Sequence, residues 1–183
     1  MEQKYGLIKT NLLKQTSTNP IEIVKTIMRM DFINIHGPEH HLLDGGALLV
    51  AMFNAGYEMD LEANLDRLAE RSIKMPGAMC GNWGVCGSVT SLGAVFSVLD
   101  GTGPLSSDEH YAEHMEFTSR VIKRMSEIGG PRCCKRNAFL AISEGIKYAE
   151  EHYNVKLEKQ NITCEFSSRN TQCIKEKCPF HIN

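Results

Sequence analysis

The chain has 183 residues, with 20 lysines and arginines against 22 aspartates and glutamates, and a formal net charge of −2. One domain is the default at this length, and so balanced a charge gives no case for nucleic acid. Residues 1–10 are polar with no apolar leader, and the longest apolar run, 47–53, is far below the roughly 20 residues of a membrane span, so a cytoplasmic protein is expected.

The first segment is polar up to Asn19. Pro20 then opens a run with apolar residues at 20, 23, 24, 27 and 28, which is helical spacing. Phe32 to Ile35 reads as a helix end or a short extended piece. His36-Gly37-Pro38-Glu39-His40-His41 follows, and Gly37-Pro38 marks the start of a largely apolar, central helix that ends at Asn54-Ala55-Gly56. Asp60 is placed to cap a helix over 61–74, with Leu61, Leu65, Leu68 and Ile73 inward. The glycine-rich stretch 75–87 leads into a second buried helix, 88–99. Asp108 begins a long helix with Tyr111, Met115, Thr118, Ile122, Met125 and Ile128 on one stripe, broken by Gly129-Gly130. Pro131 suits the first position of a helix running to about Tyr153, which puts Cys133 and Cys134 in its first turn. Residues 155–157 and 162–166 read as short strands. The expected fold class is mostly α: a single-domain helical bundle over residues 1–183, with a helical core at 20–153 and a small irregular or β cysteine-rich C-terminal appendage at 154–183 packing on it.

Seven cysteines are many for this length. An odd count in a reducing compartment argues for metal or redox chemistry rather than a disulfide framework. Cys80 and Cys86 flank a glycine-rich loop, where the backbone can wrap a bulky group and aim N–H donors at its sulfurs. Cys133 and Cys134 sit among Arg132, Lys135 and Arg136 at a helix start. Positive charge there opposes the helix dipole unless something negative lies on it. Cys164, Cys173 and Cys178 lie in a polar tail that has little to bury and needs a tether. All seven are candidate ligands, and four thiolates can hold one iron–sulfur cluster, [4Fe–4S] above all. Adjacent cysteines point about 100° apart on a helix, so Cys133 and Cys134 are not expected on one metal ion.

His36, His40 and His41 are the candidate catalytic groups. A helix N-terminus disfavours imidazolium, and neutral imidazole is what a base or ligand requires. Arg132, Arg136 and Trp83 are candidates for holding a small anionic substrate. His110 and His114 read as a solvated face, and His152 as surface. No Walker loop, dinucleotide fingerprint or nucleophile elbow is present.

The stretches His36-Gly37-Pro38-Glu39-His40-His41, Cys80-Gly81-x-x-Gly84-x-Cys86-Gly87, Gly130-Pro131-Arg132-Cys133-Cys134-Lys135-Arg136 and Cys164…Asn170-x-x-Cys173…Cys178-Pro179-Phe180 together resemble an uncharacterised domain-of-unknown-function family of anaerobic bacteria and archaea. Its members are sometimes joined to methyltransferase-like domains. The resemblance implies anaerobe biology but no established reaction. The expectation is an iron–sulfur protein of anaerobic redox or sulfur metabolism, with a small anionic substrate and a methyltransferase or redox protein as partner. Zinc, in a structural module or a hydrolase, remains the alternative cofactor, and a metal-free thiol redox or adaptor protein a third reading.

Overall fold

The computed structural model describes residues 1–182. Eight helices follow in order: α1 (Glu2–Leu12), α2 (Pro20–Met28), α3 (His40–Asn54), α4 (Leu61–Ser72), the short α5 (Met79–Asn82), α6 (Gly87–Leu99), α7 (Glu109–Ile128) and α8 (Cys134–Tyr153). The tail adds two single 3₁₀ turns, Ser167–Arg169 and Lys175–Lys177. The protein is an all-helical single domain, with no strand among the described residues. The strands expected at 155–157 and 162–166 are absent: Val155, Leu157 and Phe166 are buried one at a time beneath an irregular chain, not paired in a ladder.

Helix α3 is the axis of the fold. Every residue from His40 to Met52 is buried, and α3 touches α1, α2, α4, α6 and α8. Such a helix must be apolar all round. It crosses α6 closely because Gly45 has no side chain. A Cβ there would lie 2.7 Å from Ser91 Oγ and 2.9 Å from the Ser91 carbonyl oxygen, while the Gly45 N–H donates to Ser91 Oγ at 2.9 Å. Gly45→Ala should therefore cost about 1–3 kcal/mol by overpacking, read as a lower urea midpoint at unchanged slope.

Local signals set the other boundaries. Asn19 caps α2 by accepting from the N–H groups of Ile21 and Glu22, and Asp60 caps α4 by accepting from Ala63. In α4 the inner face is Asn64, Leu65, Leu68 and Ser72, with Ile73 exposed. Helix α1 lies in the segment read as merely polar. Its low amphipathicity hides Tyr5, Ile8 and Leu12, which are buried against the core. Helix α7 is rotated from the expected stripe: His114, Phe117 and Val121 point inward, while Tyr111 and Met115 are exposed. Aromatic packing decides this, since Phe117 meets Phe96 edge-on at 4.9 Å and Tyr148 at 5.1 Å.

Helix α8 ties the bundle to α7 through Glu144, which is buried and paired with Arg124 and, at 2.8 Å, with Lys147. Burial alone would raise this carboxyl; the two cations outweigh it and hold it below its ordinary value of 4.5. The linked stability is fully present above that value and is lost as pH falls through the lower folded one. Glu144→Gln should thus destabilise at neutral pH and flatten the decline in melting temperature below about pH 4.5.

The tail returns across α2 and α8. Arg29 forks onto Glu165 at 3.0 and 3.1 Å, Lys25 donates to the Thr163 carbonyl at 3.2 Å, and the Phe180 ring meets Phe139 edge-on at 5.5 Å. This places the cysteine-rich segment over the start of α8. No helix among the described residues is long and apolar enough to cross a membrane.

Candidate metal centre and adjoining cavity

The α8 start differs in detail from the expectation. Gly130-Pro131 is a cis peptide and Pro131 precedes the helix instead of opening it. Cys133 is the N-cap residue, its sulfur accepting from the Arg136 N–H at 3.4 Å, and Cys134 is the first helical residue. The two thiols therefore face different spaces.

Cys133 faces the tail. With Cys164, Cys173 and Cys178 it lines one hollow, closed by Phe166, Ile174 and Phe180. Two of the sulfurs accept a backbone N–H at 3.4 Å, Cys133 from Arg136 and Cys173 from Lys175. The Phe166 and Phe180 N–H groups lie beside Cys164 and Cys178. At each of the three tail cysteines the nearby N–H lies two residues later in the chain. The Cys164 N–H donates to the Phe180 carbonyl at 2.6 Å, closing the tail on itself. Burial raises the Cys164 and Cys178 thiols, and the neighbouring sulfurs add to this; the Phe166 and Phe180 N–H groups, and Arg136 beside Cys178, oppose it. The hollow is a small cavity of about 20 Å³. A single ion needs its sulfurs at about 2.3 Å, and no three His, Cys, Asp or Glu side chains among the described residues are grouped to hold one. Four cysteines on one space match the donor count of an iron–sulfur group.

Cys134 faces the other way, into a cavity of about 260 Å³ lined also by His36, His40, His41, Cys80, Cys86, Arg132 and Asn137. Cys133 lies on the wall between the two spaces, as it borders both. A wider groove of about 520 Å³ continues from Cys80 and Cys86 past Gly129 and Arg132 to solvent. Cys86 is the N-cap residue of α6 and its sulfur accepts from Asn137 Nδ2 at 3.2 Å. The Gly37 N–H lies beside Cys134, yet burial pushes its thiol up to about 12.

The histidines do separate work. His36 Nε2 bonds Asn170 Oδ1 at 3.0 Å, and Asn170 Nδ2 reaches Cys133 Sγ at 3.6 Å. Burial lowers the His36 pKa, Arg132 and Lys135 add to this, and the Asn170 bond opposes it. His40 is locked in a buried chain, with Nδ1 to Asp44 Oδ1 at 3.1 Å and Nε2 to Lys135 Nζ at 3.1 Å. Lys135 also donates to the Asn34 carbonyl at 2.9 Å. This ring sits between an ammonium and a carboxylate, so Nδ1 carries the proton and Nε2 accepts. His41 is 6% exposed and its Nδ1 has no partner; the Met75 backbone approaches the ring without completing a bond there.

Arg132 is exposed at the cavity mouth. Arg136 is 4% exposed, and its Nη2 holds the Gly129 and Pro131 carbonyls at 2.9 and 3.0 Å, so it fastens the turn while lending charge to Cys178. Trp83 is 61% exposed and lines none of these spaces. His110 and His114 stand apart from them. His114 is buried, not solvated, because Asp100 Oδ2 takes both His114 Nε2 at 2.8 Å and the Tyr153 hydroxyl at 2.6 Å. Asn137 was not singled out by sequence; Lys135 was read there only as one of three cations at the helix start, and Asn170 only as part of the tail motif. Asn137 is one turn after Cys134, Lys135 follows Cys134 directly, and Asn170 is three residues before Cys173.

The family model described as a family of unknown function, DUF5714, matches residues 8–181, and the chain belongs to that family. No curated protein and no solved structure matches the chain.

Proposed function

We propose that this DUF5714 member is an iron–sulfur protein whose cluster is held by Cys133, Cys164, Cys173 and Cys178, next to a cavity that takes a small anionic substrate. The observation that carries the reading is the tail hollow: four cysteines line one space, and two of their sulfurs accept backbone N–H groups. Hydrogen bonds to sulfur favour the thiolate and set cluster potential. An iron–sulfur cluster supplies electron transfer or a Lewis-acidic iron. The chain's own part is to hold four thiolates, to exclude water with Phe166, Ile174 and Phe180, and to set Arg136 and Lys135 against their negative charge. Arg132 at the mouth and the His36 ring offer the adjoining cavity a cation and a hydrogen-bonding group for an anion. Enzymatic use of that cavity in redox or sulfur chemistry, and a redox or methyltransferase partner, belong to the same proposal.

Protein purified without oxygen should be brown and contain iron with matching acid-labile sulfide. A colourless preparation with stoichiometric zinc would sink the reading. Because burial raises the Cys164 and Cys178 thiols and metal binds thiolate, loading should release protons. Weakly buffered protein titrated with ferrous iron and sulfide should acidify, whereas a tail-cysteine variant should not.

A further inference from the structure

Three cysteines remain outside the tail hollow, and they share the 260 Å³ cavity with the imidazole of His41. The helices that bring them there all begin at it. His41 is the second residue of α3, Cys86 the N-cap of α6 and Cys134 the first residue of α8. Three positive dipole ends on one space favour a strongly anionic occupant. Cys80 reaches the same space from α5, which begins after Ala78 in the left-handed conformation, φ 63°.

Cys86 Sγ accepts from Asn137 Nδ2 at 3.2 Å, and the Gly37 N–H lies beside Cys134. The His41 ring presses on the α6 backbone so tightly that a Cβ at Gly87 would fall 2.1 Å from its Nε2. Buried polar groups are ordinarily paired. His41 is more than nine-tenths buried, its Nδ1 has no hydrogen-bond partner, and its ring lines the cavity together with the three thiols. Among the described residues, no three of its lining His or Cys groups are placed to hold a single ion.

We propose that Cys80, Cys86 and Cys134, with His41 as the fourth donor, hold a second iron–sulfur cluster. The seven cysteines then divide into four and three, with Cys133 and Cys134 each serving one centre on either side of the α8 start. Because the two centres sit on opposite sides of one peptide unit, electrons can pass between them. This site stands on its own donors and does not require the tail centre.

The test uses the full chain, reconstituted without oxygen with ferrous iron and sulfide. About eight irons and eight sulfides per chain are expected for two [4Fe–4S] groups. Cys80→Ser/Cys86→Ser should remove about half of both, and Cys173→Ser/Cys178→Ser the other half. Four irons that survive the first double substitution and vanish with the second overturn the second cluster and leave the tail centre standing. Four irons that vanish with the first and survive the second support the cavity site and overturn the tail assignment. Circular dichroism checks that each variant keeps its helices; if the first does not, the native count of eight or four decides.

Discussion

Asp44→Ala should lower the unfolding free energy by about 3–5 kcal/mol, the cost of leaving a buried charge without its counterion. Asp44 is fully buried, and it is the largest influence opposing the burial that pushes Lys135 down to about 8. Lys135 is itself 1% exposed, bonded to His40 Nε2 and the Asn34 carbonyl, and stacked over the Phe166 ring at 5.1 Å. Without the carboxylate, the ammonium stays buried or loses its proton, and His40 loses the group that fixes its tautomer. The loss should be read by urea unfolding at neutral pH. Asp44→Leu combined with Lys135→Met should recover a large part of it, because removing both ends leaves no orphan charge. A loss under about 1 kcal/mol for the single substitution would mean that water reaches this chain of groups.

Removing metal should free the tail while leaving the bundle folded. From Asn154 on, only Val155, Leu157, Phe166 and Asn170 among the described residues are buried, too little apolar area to order a tail of this length. A ligand at 100 times its dissociation constant stabilises what it binds by about 2.7 kcal/mol, or roughly 100-fold in opening. Metal-free protein should therefore be cut by protease within 158–178 at least tens of times faster than loaded protein. The helical signal and the melting of the core should change much less. Equal cutting rates would show that Arg29–Glu165, Phe180 and Phe166 hold the tail without metal.

Much of this fold was legible where the local signal and the tertiary demand agree. The apolar run after His40 could only be central, Asp60 caps as its position requires, and α8 ends where the pattern ends, at Tyr153. The failures have physical causes. In α1, three buried residues among polar neighbours are enough because α3 supplies the apolar partner. In α7, ring packing on Phe96 overrides the richer methionine and isoleucine stripe. At α8 the helix starts later than proline chemistry suggests, because Cys133 takes the capping role usually given to an oxygen. The cysteines were legible as a set but not as two groups. Nothing in their spacing says that Cys133 joins the tail while Cys134, the next residue, joins Cys80 and Cys86. That sorting comes from the roughly 100° turn between adjacent side chains and from Arg29 and Phe180 drawing the tail over one side of α8.

The central claim is that the tail cysteines build a cluster with Cys133. It is tested most directly by iron and acid-labile sulfide per chain in anaerobically prepared native protein and in Cys173→Ser/Cys178→Ser. About four irons and four sulfides should disappear on substitution, with the helices intact. Unchanged iron in the variant, or one zinc and no sulfide in the native chain, would contradict it.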